Sequence, residues 1–215
     1  MVMQISLHQI KPVFLEPEKI ERSQVWNKDL SWKKGTHLHI VAPSGSGKTS
    51  LIHFLYQIRQ DYSGTLSFDN RDVKSLDANE MAGYRASKIS IVFQDLRLFP
   101  DHTVWQNIEV KRLLKPYHQE NAIMEMADKL GISNKLDRLA RECSYGEQQR
   151  IAIIRALQQP FDFILLDEPF SHLDTANSKK ALELITTEAQ KREASIILAD
   201  LEKVDGFETN QLYHL

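Results

Sequence analysis

The spacing of apolar and polar positions changes period several times along the chain, and each change marks an element. Up to about residue 35 the pattern suggests short strands and loops, with Pro12 and Pro17 excluding a long helix. Trp26 and Trp32 are expected to pack beneath this first β region. "HLHIV", ending at Val41, predicts a short apolar strand, followed by a Gly/Ser-rich turn. Beyond the turn, Leu51, Phe54, Leu55 and Ile58 fall at helical spacing. A second strand is expected at Lys88 to Phe93, "KISIVF".

From about Asp95 to Pro160 the period is helical. In "ENAIMEMADKLGI", Ile123, Met126, Ala127 and Leu130 share one face, and Gly131 is placed to end the helix. Continuous apolar runs return in "FDFILLDE" and "SIILAD", separated by a helix through Ala181, Leu182 and Ile185. Alternation of this kind predicts an α/β fold: a mostly parallel sheet covered on both faces, preceded by an antiparallel β part. One domain over residues 1–215 is expected, with a helical subdomain at about 95–160 inserted into it.

Composition narrows the classes. The 215 residues carry 42% hydrophobic and 26% charged side chains with a net charge of −2, so no global field calls for nucleic acid as a partner. A single cysteine, Cys143, excludes an intramolecular disulfide. The first residues have no long apolar core, and no apolar run is long enough to span a bilayer, so a cytoplasmic location is expected.

Two stretches carry chemistry. "APSGSGKT", Ala42 to Thr49, has P-loop spacing with alanine in the first slot, between a strand and a helix. Gly45 and Gly47 let the backbone curl so that N–H groups face phosphate oxygens, and the next helix adds its own donors. Lys48 reaches the outer phosphates and the Thr49 hydroxyl ligates Mg²⁺. ATP contacts are expected along Ala42, Pro43, Ser44, Gly45, Ser46, Gly47, Lys48, Thr49 and Ser50. "FILLDEP" ends an apolar run in Asp167, a metal ligand candidate, and Glu168, placed to polarise a water against the γ-phosphate.

A third stretch, "CSYGEQQR" from Cys143 to Arg150, has capping-box spacing between Ser144 and Glu147. It also resembles the signature of the ATP-binding-cassette (ABC) ATPases, usually L-S-G-G-Q/E-Q-Q-R, and the resemblance extends over essentially the whole chain. What it implies is a nucleotide-binding domain whose Ser144, Gly146 and Glu147 meet ATP held by a second protomer, in a homodimer rather than a heterodimer. Gln94 resembles the Q-loop glutamine, a catalytic and Mg²⁺-sensing position. "SHLD", Ser171 to Asp174, resembles the D-loop, whose Asp174 crosses the dimer interface. Phe14 lies where an aromatic stacks on adenine, although its ring could equally belong to the core.

The family's strand-end histidine is replaced by Ala199 in "IILAD", which implies slow hydrolysis. "YRASKISIVFQD" and "LRLFPDHTV" are similar to the lipoprotein-release, macrolide-export and cell-division (FtsE-type) subgroup. That likeness implies a separate membrane-spanning subunit docked near Gln94 to Val104, with Leu98 and Phe99 in the groove, on the cytoplasmic face of the inner or plasma membrane. An ATP-binding switch with little hydrolysis stays open as an alternative. A soluble, non-transport ABC ATPase would carry a coiled-coil insert, which the roughly hundred residues between P-loop and signature do not show.

Overall fold

The computed structural model describes residues 3–215. The strands are β1 (Gln4–Pro12), β2 (Asp29–Lys33), β3 (Leu38–Val41), β4 (Tyr62–Phe68), β5 (Arg71–Asp72), β6 (Ile89–Val92), β7 (Phe163–Asp167), β8 (Ser195–Asp200) and β9 (Gln211–His214). The helices are α1 (Pro17–Arg22), α2 (Lys48–Leu55), α3 (Ala78–Ser87), α4 (Val104–Leu114), α5 (Asn121–Lys129), α6 (Tyr145–Leu157) and α7 (Thr175–Lys191).

Five strands form an all-parallel sheet in the order β6-β7-β8-β3-β9. Strands β6 and β7 are buried at every position, as continuous apolar runs require when both faces are covered. Parallel strands bring all their carboxyl ends to one edge, so the residues following β3, β6, β7 and β8 meet there. One core cluster packs α4–α7 on one face of this sheet, and the other packs α2 and the antiparallel sheet on the opposite face.

The antiparallel sheet, β2-β1-β4-β5, is only half N-terminal, because β4 and β5 come from residues 62–72. One helical expectation needs correction, the reach of the helix after the P-loop. As expected, no long helix forms at Pro17; it opens the six-residue α1, where its fixed φ suits the first helical turn. The helix after the P-loop stops at Leu55, one turn before Ile58, because Gln57 takes a left-handed φ of 59°. The helical stretch shares its core with α7 and the sheet, and α6 packs directly on β6. Gly131, at φ 67°, follows α5 as expected.

The α4–α5 connection is tied to the end of α7 by a charge cluster around the buried Glu188 and Arg192. His118 donates to Glu188 at 2.5 Å, Arg192 at 2.6 Å and Lys191 at 2.7 Å, and the Tyr117 ring lies 3.5 Å from the Arg192 guanidinium. Burial alone would raise the Glu188 carboxyl, but these three donors overcome it and hold it at about 2. Since the folded value lies below the ordinary 4.5, the stabilisation is complete above pH 4.5 and is lost as pH falls toward 2. Glu188→Gln leaves Arg192 without its counter-charge and is expected to cost about 3–5 kcal/mol at neutral pH by denaturant unfolding. The gap from the wild type should shrink as pH drops below 4.5.

Candidate active site

The P-loop runs from β3 into α2. Gly45 and Gly47 adopt φ of 76° and 98°, the left-handed region that lets the loop curl. A Cβ on Gly47 would stand 3.1 Å from the Trp26 ring, whose Nε1 donates to the Ser46 carbonyl at 3.2 Å. Trp26 is therefore a brace for the loop and not simply filler under the first sheet, while Trp32 faces Tyr213 of β9. The Ser46 hydroxyl donates to the Pro43 carbonyl, and the Lys48 ammonium donates to the Ala42 and Pro43 carbonyls at 2.7 and 3.1 Å.

A cavity of about 370 Å³ lies over this loop, lined by Phe14, Ser44, Gly45, Gly47, Lys48, Thr49, Ser50, Gln94 and Glu168, with Leu15, Glu16 and Lys19 on its rim. Ala42, Pro43 and Ser46 do not line it; they shape the loop and hold Lys48 from behind. Phe14 is half exposed at the cavity wall, with the Arg59 guanidinium 4.6 Å above its ring, so it is not a core residue. Arg59 also donates to the Ser50 hydroxyl at 3.0 Å, linking that aromatic to the helix start.

The acidic strand end completes the cavity. Glu168 takes φ 47°, an unfavourable region for a residue with a side chain, at a cost on the order of 1–3 kcal/mol. Its N–H donates to the Ala199 carbonyl at 2.9 Å, which anchors the turn to β8. One carboxylate oxygen lies 3.5 Å from Lys48 Nζ, and the other accepts from Gln94 Nε2 at 3.2 Å. Gln94 Oε1 in turn accepts from the Thr49 hydroxyl at 3.2 Å. Gln94 thus bridges the P-loop and the acidic strand end.

Asp167 is fully buried, and neither of its oxygens has a hydrogen-bond partner among the described residues. Burial pushes its carboxyl up to about 6; Glu168 adds to the rise, while the nearby Thr49 hydroxyl and Lys48 oppose it. A partnerless buried carboxylate beside a hydroxyl and an amide oxygen suits a hard divalent cation. Mg²⁺ is commonly held by one or two carboxylates plus substrate phosphates. No cluster of three or more His, Cys, Asp or Glu able to hold a metal occurs among the described residues.

Ser144, Gly146, Glu147 and Asp174 are not part of the cavity wall. The Ser144–Glu147 capping box is present in both directions, and Glu147 also lies 3.4 Å from Lys135. Glu147 is therefore turned back into its own helix start. The Ser144 hydroxyl accepts from the Glu147 N–H, and the first-turn N–H groups of Tyr145 and Gly146 have no acceptor within the helix. A Cβ on Gly146 would meet the His172 carbonyl at 2.9 Å, so the helix start and the 171–174 loop touch only because this residue is glycine. Asp174 caps α7 by accepting from the Asn177 N–H at 2.8 Å.

Four contributors escaped the sequence patterns. Trp26 and Arg59 act through loop contacts distant in sequence. Gln149 donates to the Glu168 carbonyl at 3.2 Å and accepts from the His172 N–H at 3.1 Å, joining α6 to both loops. Tyr145 donates to the Gln94 carbonyl at 3.3 Å and packs at a 54° tilt against His172 with centroids 4.2 Å apart. Gln149 and Tyr145 had a visible signal, since both lie within the quoted "CSYGEQQR", whereas Trp26 and Arg59 had none. Of the pair Leu98 and Phe99, Leu98 packs against the larger core cluster while Phe99 lines a surface groove.

Comparison with known proteins identifies the family. The sequence pattern of the family described as ABC transporter matches residues 25–171. The lipoprotein-releasing system ATP-binding protein LolD 1 of Rhodopirellula baltica is 37% identical over 160 residues, covering 73% of this chain and 70% of that protein. LolD of Saccharophagus degradans is 31% identical over 202 residues, 93% of this chain and 88% of that one. The macrolide export ATP-binding/permease protein MacB of Nitrosomonas europaea is 32% identical over 84% of this chain, which spans 28% of MacB. The dimeric structure of MJ0796, a bacterial ABC transporter cassette, superposes with a TM-score of 0.79 at 24% identity, covering 92% of this chain and 88% of that one, so the fold is shared. Phosphate loop, acidic strand end and signature helix are thus found together in one cassette fold, and the chain belongs to the ABC transporter family as an ATP-binding cassette, a P-loop ATPase.

Proposed function

We propose that the chain binds Mg-ATP in this cavity, closes on it with a second copy of itself, and hydrolyses it to drive a membrane-spanning partner subunit. The carrying observation is the convergence of Lys48, Thr49, Gln94 and Glu168 on one cavity beside the partnerless Asp167. Phe14 stacks on adenine, an undemanding apolar contact. The P-loop N–H groups and Lys48 hold the phosphates once Lys48 exchanges its loop carbonyls for phosphate oxygens. Thr49, Gln94 and Asp167 would hold Mg²⁺, which when bound supplies positive charge against the phosphate oxygens.

Glu168 accepts a proton from water as the water oxygen bonds to the γ-phosphorus. The bond from that phosphorus to the bridging oxygen breaks, leaving ADP and phosphate. Ser144, Gly146 and Asp174 stand outside the cavity wall of their own chain, which supports their use on the ATP of a second protomer. A membrane partner is supported by the relatives, which are named for lipoprotein release and macrolide export. A peripheral position on the cytoplasmic face follows from that partnership; no helix among the described residues is long and apolar enough to cross a membrane. A second reading, an ATP-closed switch with little turnover, is favoured by Ala199: its buried methyl offers no donor where the family carries a histidine.

Phosphate release with Mg-ATP tests the main reading: the wild type should exceed Glu168→Gln by about a hundredfold or more, as loss of a general base implies. Equal rates, with ATP binding intact, would select the switch. Ala199→His should raise turnover at least about tenfold if the missing donor limits the rate, with nucleotide affinity measured in parallel as a folding control.

Asp167→Asn separates function from stability. The native carboxyl keeps its proton between the ordinary 3.8 and about 6, so its destabilising charge appears as pH rises through that window and is complete above it. The amide should therefore stabilise the nucleotide-free protein at pH 7.5 by on the order of 2–3 kcal/mol, and by little at pH 4. A stability loss at pH 7.5, read by thermal unfolding, would contradict this.

A further inference from the structure

The cavity built by one chain is short of positive charge. Toward the phosphates it offers a single ammonium, Lys48, against the carboxylates of Glu168 and the neighbouring Asp167, with Lys19 out on the rim. The adjacent strand end adds only Ala199 and Asp200. Phosphoryl transfer spreads negative charge over the equatorial oxygens of the moving group. A further donor aimed at them, from the same chain or from a second one, is worth several orders of magnitude in rate. Among the described residues, no arginine or histidine lines the cavity to supply it.

A donor of the right kind stands on the outer surface instead. His172 is exposed in the 171–174 loop, and its carbonyl lies so close to the start of α6 that a Cβ on Gly146 would meet it at 2.9 Å. The ring is held on two sides: Tyr145 packs against it with centroids 4.2 Å apart, and its Nδ1 lies 2.9 Å from the Ser171 hydroxyl. Gln149 sets the direction of that bond. Its Oε1 accepts from the His172 N–H at 3.1 Å, so its Nε2 faces the Glu168 carbonyl at 3.2 Å and Ser171 Oγ at 3.5 Å. With Gln149 donating to Ser171, the Ser171 hydroxyl has His172 Nδ1 as its acceptor, and the ring proton then sits on Nε2. That nitrogen has no hydrogen-bond partner among the described residues. Neighbouring cations are already engaged: Lys135 lies 3.4 Å from Glu147, and Arg150 donates to Asn177 at 3.0 Å.

Resting on the reading that Ser144 and Gly146 serve the ATP of a second copy, we propose that His172 of each copy is a catalytic residue of the other copy's site, its Nε2–H donating to a γ-phosphate oxygen where Ala199 leaves no donor. A two-fold dimer makes the exchange reciprocal, so each site gains one imidazole. The imidazole keeps its proton throughout. The water proton goes to Glu168, and the electron pair of the breaking bond goes to the oxygen that leaves with ADP.

The test is complementation between variants of the full chain, read as phosphate release at saturating Mg-ATP. His172→Ala should lower turnover about a hundredfold, the loss typical of one transition-state donor, while affinity for Mg-ATP changes by less than about twofold. His172→Gln, which keeps an N–H, should recover at least about tenfold of that loss. Ala199→His should recover a similar factor in the His172→Ala background and add little to the wild type, so that the absent strand-end donor limits the rate only when His172 is gone too.

Mixing His172→Ala with Glu168→Gln then decides whose site the histidine serves. Random pairing makes about half the dimers mixed, and each mixed dimer has one site with Glu168 from one copy and His172 from the other, so about a quarter of wild-type turnover should return. Glu168→Gln mixed with Ser144→Arg, which crowds the start of α6, is the parallel pair for the shared dimer itself. Recovery in the Ser144 pair but not in the His172 pair, or an unchanged rate in His172→Ala, overturns the proposal and leaves the shared dimer standing. Recovery in neither pair overturns the two-copy reading together with the proposal.

Discussion

Two adjacent carboxyl groups at the end of a buried strand set the terms for everything around them. Asp167 and Glu168 follow four apolar residues of β7 into the centre of the sheet edge, where charge is expensive. One cation, Lys48, lies 3.5 Å from Glu168, and its ammonium is shared with two loop carbonyls. Glu168 is turned outward by a left-handed backbone and satisfied by Gln94; Asp167 is left inside with no donor. An arrangement this costly makes sense as a receptor for a divalent ion and a polyphosphate, which reverse the local balance when they bind.

The parts that hold this pair lie in an outer layer. Trp26 closes the P-loop from beneath, Arg59 steadies Phe14 and Ser50, and Gln149 couples the Glu168 turn to the 171–174 loop. Through Gln149 and Tyr145 the signature helix of one chain touches its own acidic turn and its own Gln94 segment. The same helix presents Ser144 and the first-turn donors outward. A helix start can therefore cap itself with one set of atoms and offer another, because the remaining first-turn N–H groups have no acceptor within the helix.

Chemistry confined to a short run of sequence was legible beforehand. The P-loop, the β7 terminus and the signature each declare themselves within eight residues, since a phosphate cradle or a capped helix start is built from consecutive backbone groups. Buried parallel strands were equally legible as apolar runs. What could not be read were pairings set by the tertiary fold. Trp26 and Ser46 are joined across twenty positions, and Arg155 reaches the Leu96 carbonyl across fifty-nine. Leu98 and Phe99 are neighbours in sequence, yet the left-handed backbone before them sends one to the core and the other to the surface. The stop of α2 at Leu55 was hidden for a similar reason: helical spacing continued to Ile58, and only the αL turn at Gln57 ended it.

The central claim is that the partnerless carboxylate is a metal ligand and that the metal is part of nucleotide recognition. Calorimetric titration of the chain with ATP, once in excess Mg²⁺ and once in chelator, tests this most directly. Binding at least about tenfold tighter with Mg²⁺ is predicted, the added ion–carboxylate contact being worth more than about 1.4 kcal/mol. Equal affinity in the two conditions would contradict the assignment of Thr49, Gln94 and Asp167 to the metal, and would leave the buried carboxylate without a function.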